Sequence, residues 1–273
     1  RKDSVFIFPK KERSLFCLIV RAGFLQGDYS PSMSDSKTIV WFRRDFRLDD
    51  NPALRHAIDR DDTIVPVYIH APHEEAPWEP GEASNWWRHN SLVELSKSLE
   101  EIGSKLIIRK GNSLEELRKL IKETKAETLY YNRLYEPAII ERDKKIKSSL
   151  KDDGLDVRSY NSALLNEPWE IEKNAGGPFK VFTPYWRHTT KTTRPRDPYP
   201  RPRKIQSPKS WPKSLPIDDL ELFPKLDWWK GLDEAWDVGE KNATKRLELF
   251  LEEMATGYGN SRNRPDQDGT SRM

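Results

Sequence analysis

Short apolar runs alternate with amphipathic stretches between residue 37 and about residue 166. β-Branched and aromatic residues dominate the runs, whereas the stretches between them repeat apolar side chains at steps of three and four. This alternation is typical of a parallel sheet whose strands are connected by crossover helices. The pattern predicts an α/β domain with a five-stranded parallel sheet, formed by residues 38–42, 63–69, 106–108, 128–131 and 155–160.

The predicted helices between these strands have recognisable ends. Gly103 ends one helix, Ser113 and Glu116 form a capping box at the start of the next, and a third begins at Pro137 and ends before Gly154. Apolar side chains recur on one face of the first and third helices, which are expected to bury Leu92, Leu95, Leu99 and Ile102, and Ile139, Ile146 and Leu150.

The composition changes after Tyr185. Residues 190–213 contain six prolines, eight lysines or arginines and one acidic residue, a mixture that prevents regular helix or central strand. We expect a solvated connector, and the alternative is that its basic side chains contact phosphates. Beyond it, residues 240–255 are predicted to form a helix with an apolar face made of Ala243, Leu247, Phe250, Leu251 and Met254. One helix cannot bury its own apolar face, so this pattern indicates the start of a second domain.

Composition and charge exclude several classes of protein. The chain has 273 residues, 33% of them charged, a mean hydropathy of −0.85 and no apolar stretch long enough to cross a membrane. Residues 1–32 hold six basic and three acidic residues, and the remaining chain holds 41 of each, which argues against a basic surface throughout. Cys17 is the single cysteine, which excludes a disulfide framework and favours a reducing compartment. We expect residues 1–36 to be an extension outside the fold.

The common nucleotide and hydrolase motifs are absent from the sequence. There is no G-x-G-x-x-G after the first strand, no Walker A loop and no G-x-S-x-G, which argues against a dehydrogenase, a P-loop ATPase and an α/β hydrolase. The histidines and glutamates of residues 70–75 offer metal ligands, but they lie in a loop interrupted by Pro72 and lack the H-E-x-x-H spacing. We therefore expect no metal site.

A dense run of charges follows the first predicted strand, at the edge where parallel sheets bind ligands. Residues 41–52 are Trp-Phe-Arg-Arg-Asp-Phe-Arg-Leu-Asp-Asp-Asn-Pro. One interpretation is structural: Asp50 or Asn51 caps a helix that begins at Pro52, and the arginines pair with the aspartates.

This run and three later segments together resemble the DNA photolyase and cryptochrome family, closest to its bacterial cyclobutane pyrimidine dimer photolyases. The later segments are residues 84–92, residues 131–137 with Arg142 and Asp143, and residues 181–185. The resemblance implies a Rossmann-like α/β domain at residues 37–166, an interdomain connector at 167–238 and, at 239–273, the truncated start of an all-α FAD-binding domain.

The resemblance also implies site residues near the end of the chain. Tyr258, Arg262 and Pro265, followed by residues 269–272, resemble the segment where the family's helical domain begins to bind FAD. Hydroxyl and amide groups at a helix start suit a diphosphate. The implied DNA contact is Arg262, and the resemblance implies no catalytic residue within the chain. The implied FAD contacts are Tyr258, Thr270, Ser271, Arg272 and Met273. Met273 stands where the family usually has leucine.

The leading functional hypothesis is what the resemblance implies: a deoxyribodipyrimidine photolyase, a light-driven lyase that splits cyclobutane pyrimidine dimers in UV-damaged DNA by electron transfer from reduced FAD. It implies a monomer in the bacterial cytoplasm, associated with DNA and not with a membrane. The alternatives are a cryptochrome-type blue-light photoreceptor and a non-catalytic fragment with only the α/β domain folded, because fold alone does not separate them. The truncated chain alone is expected to be inactive.

An antenna chromophore commonly occupies the α/β domain of this family. In the folate-binding members an Asn-Glu pair contacts the pterin, and the resemblance places that pair at Ala138 and Ile139. Neither side chain has a hydrogen-bonding group, so a folate antenna in the standard position is not expected. A deazaflavin, a flavin and no antenna are the open alternatives.

Overall fold

Five parallel strands form one sheet in the order β3-β2-β1-β4-β5. The computed structural model describes residues 36–173, 176–267 and 270, so residues 1–35 of the expected extension lie outside this part. The prediction of five parallel strands is confirmed. Their bounds are Lys37–Phe42 for β1, Thr63–His70 for β2, Ile107–Lys110 for β3, Thr128–Asn132 for β4 and Asp156–Tyr160 for β5.

Four helices cross between these strands, and polar side chains set where two of them begin. Asn51 accepts a hydrogen bond from a backbone amide of α1 at 3.1 Å, as one of the two expected caps. The expected capping box is wrong, because Asn112 caps α3 through the Glu115 amide at 3.1 Å, while Ser113 donates to Glu74. The helices are α1 Pro52–Asp59, α2 Glu82–Glu101, α3 Ser113–Thr124 and α4 Pro137–Asp152, with a 3₁₀ turn at Pro72–Glu75.

Alternate side chains of the strands bury two separate apolar layers. Val40 and Phe42 of β1 belong to the layer covered by α1 and α2, whereas Ile39 and Trp41 belong to the layer covered by α3 and α4. The apolar faces expected for α2 and α4 are confirmed as buried, at Leu92, Leu95, Leu99, Ile102, Ile139, Ile146 and Leu150.

The proline-rich connector packs against the sheet instead of remaining solvated along its length. The side chains of Ile205, Leu220 and Leu222 are buried in the same layer as α1 and α2. The Leu215 amide donates to the Ile108 carbonyl at 3.0 Å, so the connector pairs with β3, a strand at the edge of the sheet. Such pairing satisfies backbone groups that an edge strand leaves open.

The remaining helices are mostly exposed. The prediction of a helix over residues 240–255 is confirmed: α7 spans Glu240–Leu249, and a π-helical turn at Phe250–Met254 continues it. Two further helices, α5 at Phe182–Thr192 and α6 at Lys230–Ala235, were not predicted. No residue of α5 or α7 is buried. No helix among the described residues is long and apolar enough to cross a membrane. The other segments are α8 Tyr258–Ser261 and 3₁₀ turns at Ile217–Leu220 and Asp227–Trp229.

The burial of the connector predicts that it contributes to stability. Ile205→Ala should lower the free energy of unfolding by about 2 to 5 kcal/mol, because it leaves a cavity in the layer under α1 and α2. The exposed Leu226→Ala, at a side chain 72% accessible in the wild type, should change it by less than about 0.5 kcal/mol. Urea denaturation of both variants measures the difference, and equal small effects would show that the connector does not pack.

Candidate functional site

A cleft opens at the carboxyl ends of β1, β2 and β4, where the strand order reverses. Open α/β sheets bind ligands at such a reversal, because the loops on its two sides leave in opposite directions. Its lining combines apolar side chains from Trp41, Ile69, Leu134 and Ile139 with charged ones from Arg43, Arg44, Glu75, Arg88 and Arg142. The cleft is the first candidate ligand site of the chain.

Arg43 follows β1 directly and is buried, with 6% of its surface exposed. Its guanidinium binds the Asp143 carboxylate and the Asn132 carbonyl, and it lies 5.1 and 4.7 Å from the ring centroids of Trp41 and Tyr131. A buried charge needs such partners, because desolvating it unpaired is costly. Arg43 therefore fastens β1, β4 and α4 together at the carboxyl edge.

The β1–α1 loop, residues 43–51, is held by a second polar group of contacts. The Asn132 side chain donates to Asp45 at 2.5 Å and to the Asn51 side-chain oxygen at 2.8 Å, and it accepts from the Ala53 amide at 3.1 Å. The Asn132 side chain thus satisfies hydrogen-bonding groups of the loop and of the start of α1 together. The expected helix cap at Asn51 is confirmed, and Asp45 also has a structural role, because it accepts a hydrogen bond from Asn132.

Ion pairs cross the cleft above this layer. Arg44 pairs with Glu75 at 2.5 Å and also with Glu136, and Arg142 approaches Glu74 at 3.6 Å. Arg43 and Arg44 therefore pair with carboxylates of other segments, whereas Arg47 donates to the backbone carbonyls of Asp49, Asp50 and Ser162. The expected pairing of the arginines with the neighbouring aspartates is wrong for these side chains. The charges lining the cleft are balanced within the chain.

The lining allows a test of which antenna chromophore it fits. Ile139 is buried and lines the cleft, and Ala138 beside it is half-buried, so no carboxamide or carboxylate stands where the folate-binding pair is expected. The indole N–H of Trp41 is buried and has no hydrogen-bond partner among the described residues. The cleft has a cavity volume of about 20 Å³, and carboxylates of the chain pair with its arginines, so its geometry does not select between a deazaflavin and a flavin.

Burial suppresses ionisation around the cleft. Burial, together with the nearby cations Arg88 and Lys110, lowers the pKa of His70 to about 4. It raises the pKa of Tyr68 to about 12. Both groups are therefore neutral at pH 7, and neither offers a charged acid or base there.

The segment predicted to contact FAD forms the second candidate site, and the structure describes part of it. Tyr258 begins α8 and is 39% exposed, and the Arg262 guanidinium lies 5.9 Å from its ring centroid. Thr270 is half-buried. The other three predicted contacts, Ser271, Arg272 and Met273, lie outside the described residues. Among the predicted residues that the structure describes, Tyr258 and Arg262 lie together.

Removing the buried guanidinium should be costly. Arg43→Ala leaves the buried Asp143 with Arg142 as its remaining ion-pair partner and removes the bond to the Asn132 carbonyl, and it is expected to lower the free energy of unfolding by about 3 kcal/mol. Arg55→Ala is the matched control, because Arg55 pairs with Asp59 on the exposed face of α1, and it should cost at most about 1 kcal/mol. Equal losses in chemical denaturation of the two variants would contradict the assignment.

The lowered pKa of His70 predicts a specific loss of stability in acid. Between pH 6.5 and about 4 the unfolded chain binds a proton at His70 that the folded chain excludes, so the free energy of unfolding falls as the pH drops through this window. His70→Gln should lose less stability than the wild type from about pH 7 to about pH 4.5 in urea denaturation. His73→Gln, at a side chain 90% exposed, should follow the wild type; parallel curves for all three proteins would refute the assignment.

Comparisons with known proteins agree with this fold and these motifs. A model of the DNA photolyase family matches residues 38–203. The deoxyribodipyrimidine photo-lyase of Agrobacterium fabrum is 40% identical over 241 residues, which cover 88% of this chain and 50% of that protein. Cryptochrome-2 of Arabidopsis thaliana is 36% identical over 243 residues, covering 87% of this chain and 40% of that protein.

Solved structures give the same result. The crystal structure of a bacterial class III photolyase from Agrobacterium tumefaciens matches with a TM-score of 0.83 and 39% identity, over 90% of this chain and 51% of the other. An archaeal photolyase from Sulfolobus tokodaii, solved with two FAD molecules that imply a novel light-harvesting cofactor, matches with a TM-score of 0.68 and 25% identity, over 86% and 50% of the two chains. The chain thus spans about half the length of these photolyases, and it belongs to the DNA photolyase family.

Proposed function

We propose that this chain provides the antenna domain, the connector and the first flavin contacts of a light-driven lyase that splits cyclobutane pyrimidine dimers in DNA. The observation that carries the proposal is the match of residues 38–203 to the DNA photolyase family. The order of the strands, with its reversal at β1, supplies the ligand cleft that an antenna domain requires. Catalysis by the whole protein is part of the proposal, because the chain covers half of its photolyase relatives.

FAD is the proposed cofactor, and the chemistry of the available donors fits it. Tyr258, Thr270 and Ser271 offer hydroxyl groups and Arg272 a guanidinium, which are donors suited to a diphosphate. Tyr258 is exposed at the start of α8 and so is accessible to a ligand. When bound, FAD supplies light absorption and electron donation, while this chain's residues bind and orient it. Met273 would contact it through apolar atoms.

The proposed macromolecular partner is UV-damaged DNA. Arg262 is exposed beside Tyr258, so its guanidinium is available to a phosphate. A dimer already weakens base stacking, which lowers the cost of turning the lesion out of the duplex toward the flavin. We place the protein beside DNA in the bacterial cytoplasm, acting as a monomer.

An antenna chromophore at the carboxyl edge of the sheet completes the proposal. The apolar side chains of Ile69 and Ile139 and the guanidinium groups around them are suited to a planar anionic chromophore such as a deazaflavin or a flavin, for which the cleft, about 20 Å³ in volume, has to open. Binding it requires Arg44 or Arg142 to exchange a glutamate for the ligand.

A blue-light photoreceptor is the second candidate function. The observation in its favour is the 36% identity to Arabidopsis cryptochrome-2 across 87% of the chain. The same fold serves both functions, and the groups that separate them surround the flavin and the lesion, outside the α/β domain.

The protein that carries this sequence, isolated from its native cells through a tag, tests the proposal. We expect it to contain flavin and, under near-ultraviolet or blue light, to restore thymine monomers in an irradiated oligonucleotide. A dark reaction and undamaged DNA are the controls. Flavin without repair would favour the photoreceptor, and a folded protein with neither flavin nor repair would overturn both candidates.

The recombinant 273-residue chain should behave differently. We expect it to fold but to lose FAD on desalting and to repair no dimers, because Tyr258 and Thr270 are the proposed FAD contacts within the described residues, and an exposed Tyr258 with one neighbouring hydroxyl does not enclose a dinucleotide. Flavin absorbance after desalting measures the occupancy. Occupancy near one flavin per chain would contradict this expectation and would show that residues 239–273 form a complete site.

A further inference from the structure

Glu240, the first residue of α7, binds the β1–α1 loop, which lies far from it in sequence. The Glu240 carboxylate accepts hydrogen bonds from the Asp49 amide at 2.6 Å and from the Leu48 amide at 3.1 Å, and it pairs with the Arg201 guanidinium at 2.7 Å. Its side chain is 12% exposed. We call these four residues the Glu240 clasp. Charge-assisted bonds to two amides and one guanidinium are stronger than neutral hydrogen bonds.

The residue before the clasp allows the close approach. Gly239 has a φ of +109°, and a Cβ built on it would lie 2.9 Å from Cγ and 3.0 Å from Cβ of Glu94 on α2. A side chain at this position is excluded both by its backbone conformation and by the neighbouring helix. The chain therefore enters α7 pressed against α2.

A second ion-pair group lies beside the clasp. Lys241 binds the Glu101 carboxylate at the end of α2, and Arg201 approaches the same carboxylate at 3.6 Å. The hydrogen bond from Lys241 lowers the pKa of Glu101. Arg201 thus stands between Glu101 and Glu240, and it joins the connector to both helices.

Polar contacts dominate this attachment. No residue of α7 is buried, and Leu247 on its apolar face is 39% exposed. Within the described residues, hydrogen bonds and ion pairs near the start of α7 therefore attach this helix to the α/β domain, because its apolar side chains are not buried there. They act on the β1–α1 loop, the same loop that Arg43 and Asn132 anchor to the sheet.

We propose that Glu240 is a positioning residue: through Leu48, Asp49 and Arg201 it fixes the direction in which α7 leaves the α/β domain. Tyr258 follows α7 by one π-helical turn and a short bend. The clasp therefore sets where the flavin-contacting segment stands relative to the cleft, a consequence that rests on the proposed function. The fixed direction of α7 itself does not depend on it.

Spin labels test the clasp directly. In a Cys17→Ser background, Lys122→Cys on α3 and Lys245→Cys on α7 place nitroxides on exposed positions of the two elements. Pulsed electron–electron double resonance should give one narrow distribution of distances between the two nitroxides in the labelled protein that keeps Glu240 and Arg201. Glu240→Ala and Arg201→Ala should broaden it at least twofold. Glu248→Ala, at an exposed position of the same helix, should leave it unchanged.

Amide hydrogen exchange separates positioning from a general loss of stability. In Glu240→Ala the amides of α7 should exchange at least tenfold faster, while those of β1, β2 and β4 keep their wild-type rates. Glu240→Gln, which retains an acceptor for Leu48 and Asp49, should recover part of the protection. Unchanged distances and exchange in Glu240→Ala, or equal effects in Glu248→Ala, would overturn the proposal. A confirmed clasp in a protein that never holds flavin would instead refute only the proposed function.

Discussion

A single buried guanidinium organises the carboxyl edge of this sheet. Arg43 emerges from the central strand and must be compensated, so the Asp143 carboxylate, the Asn132 carbonyl and the faces of two aromatic rings are drawn around it. Asn132 then holds Asp45 and Asn51, which shape the β1–α1 loop. Because this loop also receives Glu240, a charge at the centre of the sheet determines how later parts of the chain are attached.

The motif that carries the family resemblance is therefore largely architectural. Asp143 and the Asn132 carbonyl bind the Arg43 guanidinium, and the Asn132 side chain binds Asp45 and Asn51. Arg43 and Arg44 both line the cleft, and of the two it is Arg44 that pairs with a glutamate it can exchange for a ligand. The cleft itself arises from the reversal of strand order beside β1. The family motif thus builds the walls of the candidate ligand site, whereas the proposed flavin contacts lie more than 200 residues later in sequence.

Much of the fold follows from local patterns in the sequence. Leu92, Leu95 and Leu99 mark a buried helix face, and the β-branched runs mark the strands, because helix and strand periodicities differ. The packing of the connector does not follow from the sequence, since Ile205 and Leu222 are isolated apolar residues among prolines and charges, and only the tertiary structure shows the layer that they fill. No local sequence pattern marks Glu240 either, because its partners Leu48 and Asp49 lie 192 and 191 positions earlier in the sequence.

The central claim is that Arg43 and Asp143 act as one unit, and a double-mutant cycle tests it most directly. Arg43→Met and Asp143→Leu, measured singly and together by urea denaturation, remove each partner without leaving a new charge. We expect the combined loss of stability to be smaller than the sum of the single losses by about 1 to 3 kcal/mol. Additive losses would contradict it, because they would show that the two charges do not depend on each other.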